Sequence, residues 1–449
     1  MSERSEQVRN ISSPPAVTPE PGVQRRALIA GMLGTGLELF DWVLYGTAAA
    51  VVFGTVFFPT VSPVAGTLAA FATFSAGFIA RPLGGVVFAH VGDKFGRKRV
   101  LQTTVLMMGG GTVLIGLVPG YAQIGIAAPV LLVLLRLVQG VAAGGELGGA
   151  VAIVLEHTPE DRRATRGALL VGGGVLGAVL ASAAFLTTSL VFTRETFLAW
   201  GWRMPFLLSV IVLVVGLYIR ARMQESPAYT KMVHEKAVEK TPVLAVLRKH
   251  RVTVLLVIAV TAAQSGVASL LFTFTLGYLA TFLKMSQAFS LGISVIVNVA
   301  LFVSYVVGGR LADSFGRRRT MAAGFALCIA VAFPFFLLLD TRTVALILVA
   351  VTLLAAGAGL VGGPMVTHFA ELFPPQVRVS GFSLGYQTAV ILGGGLAPSI
   401  AGSLAVVGGG SSWGLGVYIA AASAIGLLAL VFLRDAAGPR AAPAGFTLP

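Results

Sequence analysis

Gly92-Asp93-Lys94-Phe95-Gly96-Arg97-Lys98-Arg99 and Ala312-Asp313-Ser314-Phe315-Gly316-Arg317-Arg318-Arg319 are two copies of one polar hinge. Each holds one acid and a glycine immediately ahead of a run of three cations, and each separates two long apolar runs. The copies start 220 positions apart in a chain of 449, close to half its length. A polar hinge repeated at half the chain length indicates two similar membrane halves joined head to tail. A second repeat agrees: Glu156-His-Thr-Pro159 followed by Arg163 returns as Glu371-Leu-Phe-Pro374 followed by Arg378.

Working outward from the hinges, the chain is 56% hydrophobic and 11% charged, against about 25% charged in soluble proteins. Its mean hydropathy is +0.89. Lipid is therefore the solvent for most of it. A spanning helix needs about 20 apolar residues, and twelve such stretches follow, near 27–53, 64–90, 100–119, 126–155, 165–191, 202–221, 253–282, 288–310, 319–339, 343–368, 380–406 and 413–433. The 55 glycines suit close helix approach in a membrane. The expected fold is an all-α integral membrane protein with twelve transmembrane helices in two pseudo-symmetric six-helix bundles, residues 27–221 and 253–434. A disordered tail (1–26), a linker (222–252) and a short tail (435–449) complete the division. The net charge of +14 does not indicate nucleic-acid binding. Its cations fall at alternate ends of the apolar stretches, which places the hinges, the linker and both termini in the cytoplasm. The first stretch is too long for a cleaved signal. Cys328, the single cysteine, reads as a small buried hydrophobe.

Charges inside the spans are costly, about 2.5–3.5 kcal/mol each at mid-membrane, and need a partner or a task. Glu38 is expected roughly 16 Å into the first helix, with Asp41 one turn beyond on the same face. Two carboxylic acids so close in low dielectric disfavour double ionisation, so the pair is suited to taking up and releasing a proton. Arg136 and Arg81 are expected roughly 15 Å and 13 Å deep. Either guanidinium has the fork to hold a carboxylate at two points. The functional reading is a switch in which protonation of Glu38 and Asp41 frees an arginine for an anionic substrate. The other reading is structural pairing that folds the bundle and nothing more. The second half offers walls rather than charges, through Gln264, Phe272, Phe274, Tyr278, Asn298, Tyr305, Tyr386 and Gln387, each of which also has packing as its alternative role. At the hinge ends, Asp93, Arg97, Asp313, Arg317 and Arg378 are expected to form a cytoplasmic gate with the acids Glu146, Glu156 and Glu371. Exposed pairs of this kind contribute about 0–1 kcal/mol each, weak enough to break in every cycle; the other reading is topology alone. His90 reads as an interfacial polar residue. Gly172-Gly-Gly174-Val-Leu-Gly177 fits a dinucleotide fingerprint in letters only, since no soluble strand precedes it; helix packing is the expected role.

The hinge, Gly309-Arg-Leu-Ala-Asp313-Ser-Phe-Gly316-Arg317-Arg318, resembles the loop signature of the major facilitator superfamily, with Ser314 as its one departure. The first copy departs at Ala89 and Val91. Arg136-Leu-Val-Gln139-Gly140 resembles the helix 4 signature. Within that superfamily the chain is similar to the metabolite:H+ symporters, through Glu38-Leu-Phe-Asp41-Trp42, Tyr45-Gly46, Arg81-Pro82-Leu-Gly84-Gly85, Gly144-Gly145-Glu146, Gly201-Trp202-Arg203-Met-Pro205-Phe206 and Glu225-Ser226-Pro227. Sugar porters share the hinge signature and the Glu-Ser-Pro, but not the paired acids of helix 1.

The resemblance implies a secondary active transporter of the cell membrane, working by alternating access and taking up a small carboxylate-bearing metabolite with protons. A proline/betaine-type zwitterion:H+ symporter and a sugar or drug transporter are the alternatives. Glu38, Asp41 and Arg136 form the proton-coupling set. The substrate-binding set is Arg81, Arg136, Tyr45, Gln264, Tyr278, Asn298, Tyr386 and Gln387. No cofactor is expected beyond the proton gradient, no metal and no nucleic acid. The partners are a small organic acid or zwitterion, protons and lipid, and the expected assembly is a monomer. No nucleophile–base pair suggests an enzyme.

Overall fold

The computed structural model describes residues 21–85, 87–88, 97–144, 147–156, 158–221, 242–374, 377–408 and 412–433, all in helices and the turns between them. In chain order the long helices are α1 (Pro21–Ala48, continuing to Phe57), α2 (Pro63–Gly85), α3 (Arg97–Leu117), α4 (Ala127–Ala143), α5 (Arg163–Val191) and α6 (Arg203–Ala221). The second half has α7 (Arg251–Phe282), α8 (Gln287–Phe315), α9 (Arg317–Asp340), α10 (Val344–Glu371), α11 (Ser380–Val407) and α12 (Trp413–Phe432). Among the described residues nine helices are long and apolar enough to cross a membrane, and Arg194–Gly201 with Arg203–Tyr218, bent by 45°, makes a tenth. Gln102–Leu117 and Ala127–Ala143 are shorter apolar stretches. In sequence α3 opens with the cations Arg97, Lys98 and Arg99, and Leu147–Glu156 is a further described helix that follows α4.

Local chemistry starts and stops these helices. Ser62 accepts from the Ala65 amide with Pro63 in the first turn of α2, and Ser286 accepts from the Phe289 amide at the start of α8; both leave fewer orphan donors. The second hinge turns at Gly316, whose φ of +97° is a conformation that residues with a Cβ avoid. Inside the bundles glycine permits backbone contact. A Cβ on Gly177 of α5 would lie 2.0 Å from the Gly36 carbonyl oxygen of α1, and one on Gly140 of α4 would lie 1.9 Å from the Gly77 oxygen of α2. The Gly172–Gly177 run is thus a packing surface against α1.

The two six-helix bundles meet along α5 and α8, α2 and α11, and α1 and α7. π-helical turns interrupt three of these helices: Ala49–Phe53 in α1, Leu270–Phe274 and Tyr278–Phe282 in α7, and Ile391–Gly395 in α11. Such turns recur at functional sites because they free backbone groups and shift side-chain register. Between them runs an aromatic seam. Trp42 packs on Phe74, Phe78 and Phe272, with ring centroids 6.1, 5.3 and 5.8 Å away.

Candidate functional site

The first half holds two buried ion pairs. Arg81 Nη1 of α2 lies 2.9 Å from Glu38 Oε1 of α1, with the side chains 8% and 13% exposed. Arg136 Nη1 of α4 lies 2.9 Å from Asp41 Oδ2, with the side chains 5% and 8% exposed. Thus each acid has an arginine from a different helix. Breaking either pair would strand a charge in low dielectric, at a cost of about 3–5 kcal/mol.

Asp41 is solvated by protein on both its oxygens. Its Oδ1 accepts from the Thr112 hydroxyl of α3 and from Gln139 Nε2 of α4 at 2.7 Å. Gln139 Oε1 in turn accepts from Arg136 Nη1 at 3.1 Å. The Arg136 guanidinium lies over the Tyr45 ring at 4.5 Å and the Phe74 ring at 5.4 Å, and Tyr45 donates to Thr73 Oγ1 at 2.7 Å. The aromatic faces take up part of the charge of a cation that has left water. Arg81 is held likewise over Phe78 at 4.6 Å. Glycine makes the space for Arg136: a Cβ on Gly77 would come within 2.7 Å of its Nε.

The expected substrate wall divides into groups. Tyr386 of α11 lies within electrostatic reach of Glu38, Arg81 and Tyr305, and Gln264 donates to Tyr305 at 3.0 Å. Tyr386 and the Glu38–Arg81 pair belong to opposite halves. Gln387 is buried, and among the described residues its Oε1 has no hydrogen-bond partner; the same holds for the indole N–H of Trp42. Asn298 stands elsewhere, donating to Ser182 Oγ at 2.9 Å across the α5–α8 contact. Tyr278 is also apart: it donates to Asp340 Oδ1 at 2.6 Å, and Asp340 ends α9 at the far side from the hinge. Its hydroxyl is committed to a brace within the second half.

At the hinge end, Asp313 of α8 joins the halves as a helix cap. It accepts from the Ala164 and Thr165 amides at the start of α5, at 3.0 and 2.8 Å, and from the Thr165 hydroxyl at 2.6 Å. Glu371 of α10 pairs with Arg317 of α9 and with Arg163 of α5 at 3.3 Å. The expectation of exposed pairs needs correction here. The Arg317 and Glu371 side chains are each 13% exposed, so breaking this pair costs more than breaking a surface pair would. Arg378 opens the last-but-one span with its Nε buried and unpartnered among the described residues. Asp93 and Glu146 lie outside the described residues, as do the side chains of Arg97 and Glu156. Sequence reasoning missed Thr112, Thr165 and Ala164, and used Gln139 only as a motif letter. Arg163 was visible as part of the second repeat.

Residues 31–388 match the family model of the Major Facilitator Superfamily. The chain is 40% identical over 430 residues to the inner membrane metabolite transport protein YhjE of Escherichia coli (strain K12), covering 92% of this chain and 94% of that one. It is 37% identical over 414 residues to the shikimate transporter of the same organism, covering 92% and 94%. Its backbone resembles the proton:xylose symporter XylE bound to 6-bromo-6-deoxy-D-glucose, with a TM-score of 0.72 at 15% identity over 92% of this chain and 95% of that one.

Proposed function

The chain belongs to the major facilitator superfamily and is a multi-pass membrane transporter rather than an enzyme; from that premise we propose that it takes up a small carboxylate-bearing metabolite together with protons, by alternating access. The observation that carries the reading is the pair of buried acid–arginine contacts in the first half, Glu38–Arg81 and Asp41–Arg136. Asp41 is the proton carrier. Its charge is balanced by Arg136 inside the first bundle, and loading a proton removes the attraction that holds α1 to α4 there. Glu38–Arg81 is the cargo end, since Tyr386 of the opposite half lies within electrostatic reach of both its members. A substrate carboxylate competes with Glu38 for the Arg81 fork. Binding therefore becomes favourable when Glu38 is itself neutralised, which ties cargo to protons.

The hinge end, with both termini, faces the cytoplasm in this reading, by its excess of cations. Asp313 and the Arg163–Glu371–Arg317 group hold that side shut, so cargo enters from the opposite side. A second reading has its own support: the Glu38–Arg81 pair offers both signs of charge at one place, which suits a zwitterion. Proteoliposomes loaded at alkaline pH and diluted into acid buffer test the coupling. We expect Asp41→Asn to abolish proton-driven accumulation of a carboxylate such as shikimate, and Glu38→Gln, which frees the Arg81 fork, to lower its KM and flatten the pH dependence of binding. Accumulation by both variants at the parent rate would end the proposal.

A further inference from the structure

Thr112 has a position that the coupling reading alone does not use. Its single hydroxyl hydrogen has two acceptors in reach, Asp41 Oδ1 and the Met108 carbonyl oxygen one turn back in α3, at 2.9 Å. Its oxygen meanwhile accepts from Gln139 Nε2 at 2.9 Å. Gln139 Nε2 likewise reaches both Asp41 Oδ1 and the Met108 carbonyl, at 2.7 and 3.2 Å. Asp41 thus meets only donors on Oδ1, and Arg136 on Oδ2. That arrangement suits a carboxylate. A buried carboxylic acid needs an acceptor for its own hydrogen, or it forfeits a hydrogen bond.

We propose that Thr112 is the positioning residue that lets Asp41 change protonation state without losing its hydrogen bond. With Asp41 ionised, the Thr112 hydroxyl donates to Oδ1. When a hydronium ion gives its proton to Oδ1 and leaves as water, the new acid O–H donates to Thr112 Oγ1, and the Thr112 hydrogen turns to the Met108 carbonyl. A hydroxyl is both donor and acceptor and rotates freely, so no heavy atom need move. Donors and acceptors balance in both states. A cavity of about 20 Å³ between α1, α3 and α6 touches Asp41, Thr112 and Ser209. It is large enough for one water with polar partners, from which the proton is delivered. Among the described residues, the charged or titratable groups at this network are Arg136 of α4 and Tyr45 of α1, with the Glu38–Arg81 pair one turn down α1. The α3 and α6 residues lining the cavity carry no charge.

This inference rests on the proposal that Asp41 takes up the proton, and one experiment separates the two. Infrared difference spectra of the reconstituted full chain, taken between acid and alkaline pH without any substrate, report the carbonyl stretch of a protonated carboxylic acid. A band present in the parent and lost in Asp41→Asn belongs to Asp41; if no such band forms, the proton-carrier reading fails. If it forms, Thr112→Val, of equal size but without the hydroxyl, is expected to shift the band to higher wavenumber, and Thr112→Ser to return it. A band that stays in place in Thr112→Val overturns the inference and leaves the carrier reading standing. Should Thr112→Val not fold, the parent decides. A band already at the position of an unbonded acid refutes the role of Thr112, and a hydrogen-bonded position that Thr112→Ser preserves supports it.

Discussion

Replacing Asp313 with asparagine tests how the hinge end is held shut. Asp313 makes three hydrogen bonds to the start of α5 in the other half, two of them to backbone amides. Asparagine has one acceptor oxygen, and its amide nitrogen would face a donor, so at least one amide bond is lost. A hydrogen bond to a charged group contributes about 1.5–3 kcal/mol, and the negative charge at a helix N-terminus a further 0.3–1 kcal/mol or so. The carboxylate is partly buried, so the lower part of the range applies, near 2 kcal/mol. That corresponds to about a 30-fold rise in the ratio of open to closed at this end, since about 1.4 kcal/mol is tenfold. Thr367 of α10 provides the reporter. It is fully buried, and it faces α5, where a Cβ on Gly167 would lie 2.2 Å from its Cγ2. A cysteine there is shielded from a water-soluble maleimide until the halves part. The native Cys328 is 1% exposed and adds little background. Thr367→Cys in the Asp313→Asn background should be labelled about 30-fold faster than in the parent. A rate within twofold of the parent would refute the cap as a latch.

The remaining expectations concern the first half. Glu38→Gln leaves the Arg81 charge unmatched and should destabilise the detergent-purified protein by about 3–5 kcal/mol. The double change Glu38→Gln with Arg81→Gln should recover most of that in a thermal melt, and a double variant no better than the single would argue against the pair. Gly177→Ala puts a methyl group against the Gly36 backbone and should cost about 1–3 kcal/mol. Gly110→Ala, which meets nothing within 4 Å, should melt with the parent.

Hydropathy located the helices because lipid leaves so few options: among the described residues nine are long and apolar enough to cross, and a bent pair makes a tenth. Spacing also showed that Glu38 and Asp41 share a helix face. What it could not show was which arginine meets which acid, because the approach of α2 to α4 depends on where glycine lets their backbones meet, as at Gly77 and Gly140. Thr112 is one polar letter in a run of Leu, Met and Gly, and threonine is common in membrane helices with no task. Only its distance to Asp41 distinguishes it. For Asp313 the charge was legible and the partner was not, since the orphan amides at the start of α5 have no signature in the side-chain sequence. Opposite charge accounts for Glu371 with Arg317 and Arg163, whereas Asp313 meets the backbone amides of Ala164 and Thr165.

In the mechanism proposed above, the distribution of charge links proton to cargo. All four buried pair members, Glu38, Asp41, Arg81 and Arg136, belong to α1, α2 and α4, whereas the wall contributed by the second half is neutral: Gln264, Tyr305, Tyr386 and Gln387. A change of protonation therefore acts on one bundle only and has to reach the other through contacts that cross between them. Two such contacts leave from the same helices or their neighbours. Ser75 of α2 donates to the Gly395 carbonyl of α11 at 2.5 Å, inside the π-helical turn that ends there, and Ser182 of α5 bonds Asn298 of α8 at 2.9 Å. Because Arg81 lies on α2, about two turns beyond Ser75, a shift of Arg81 from Glu38 to cargo is felt where α2 grips α11. The neutral half then needs no ionisable group of its own to respond.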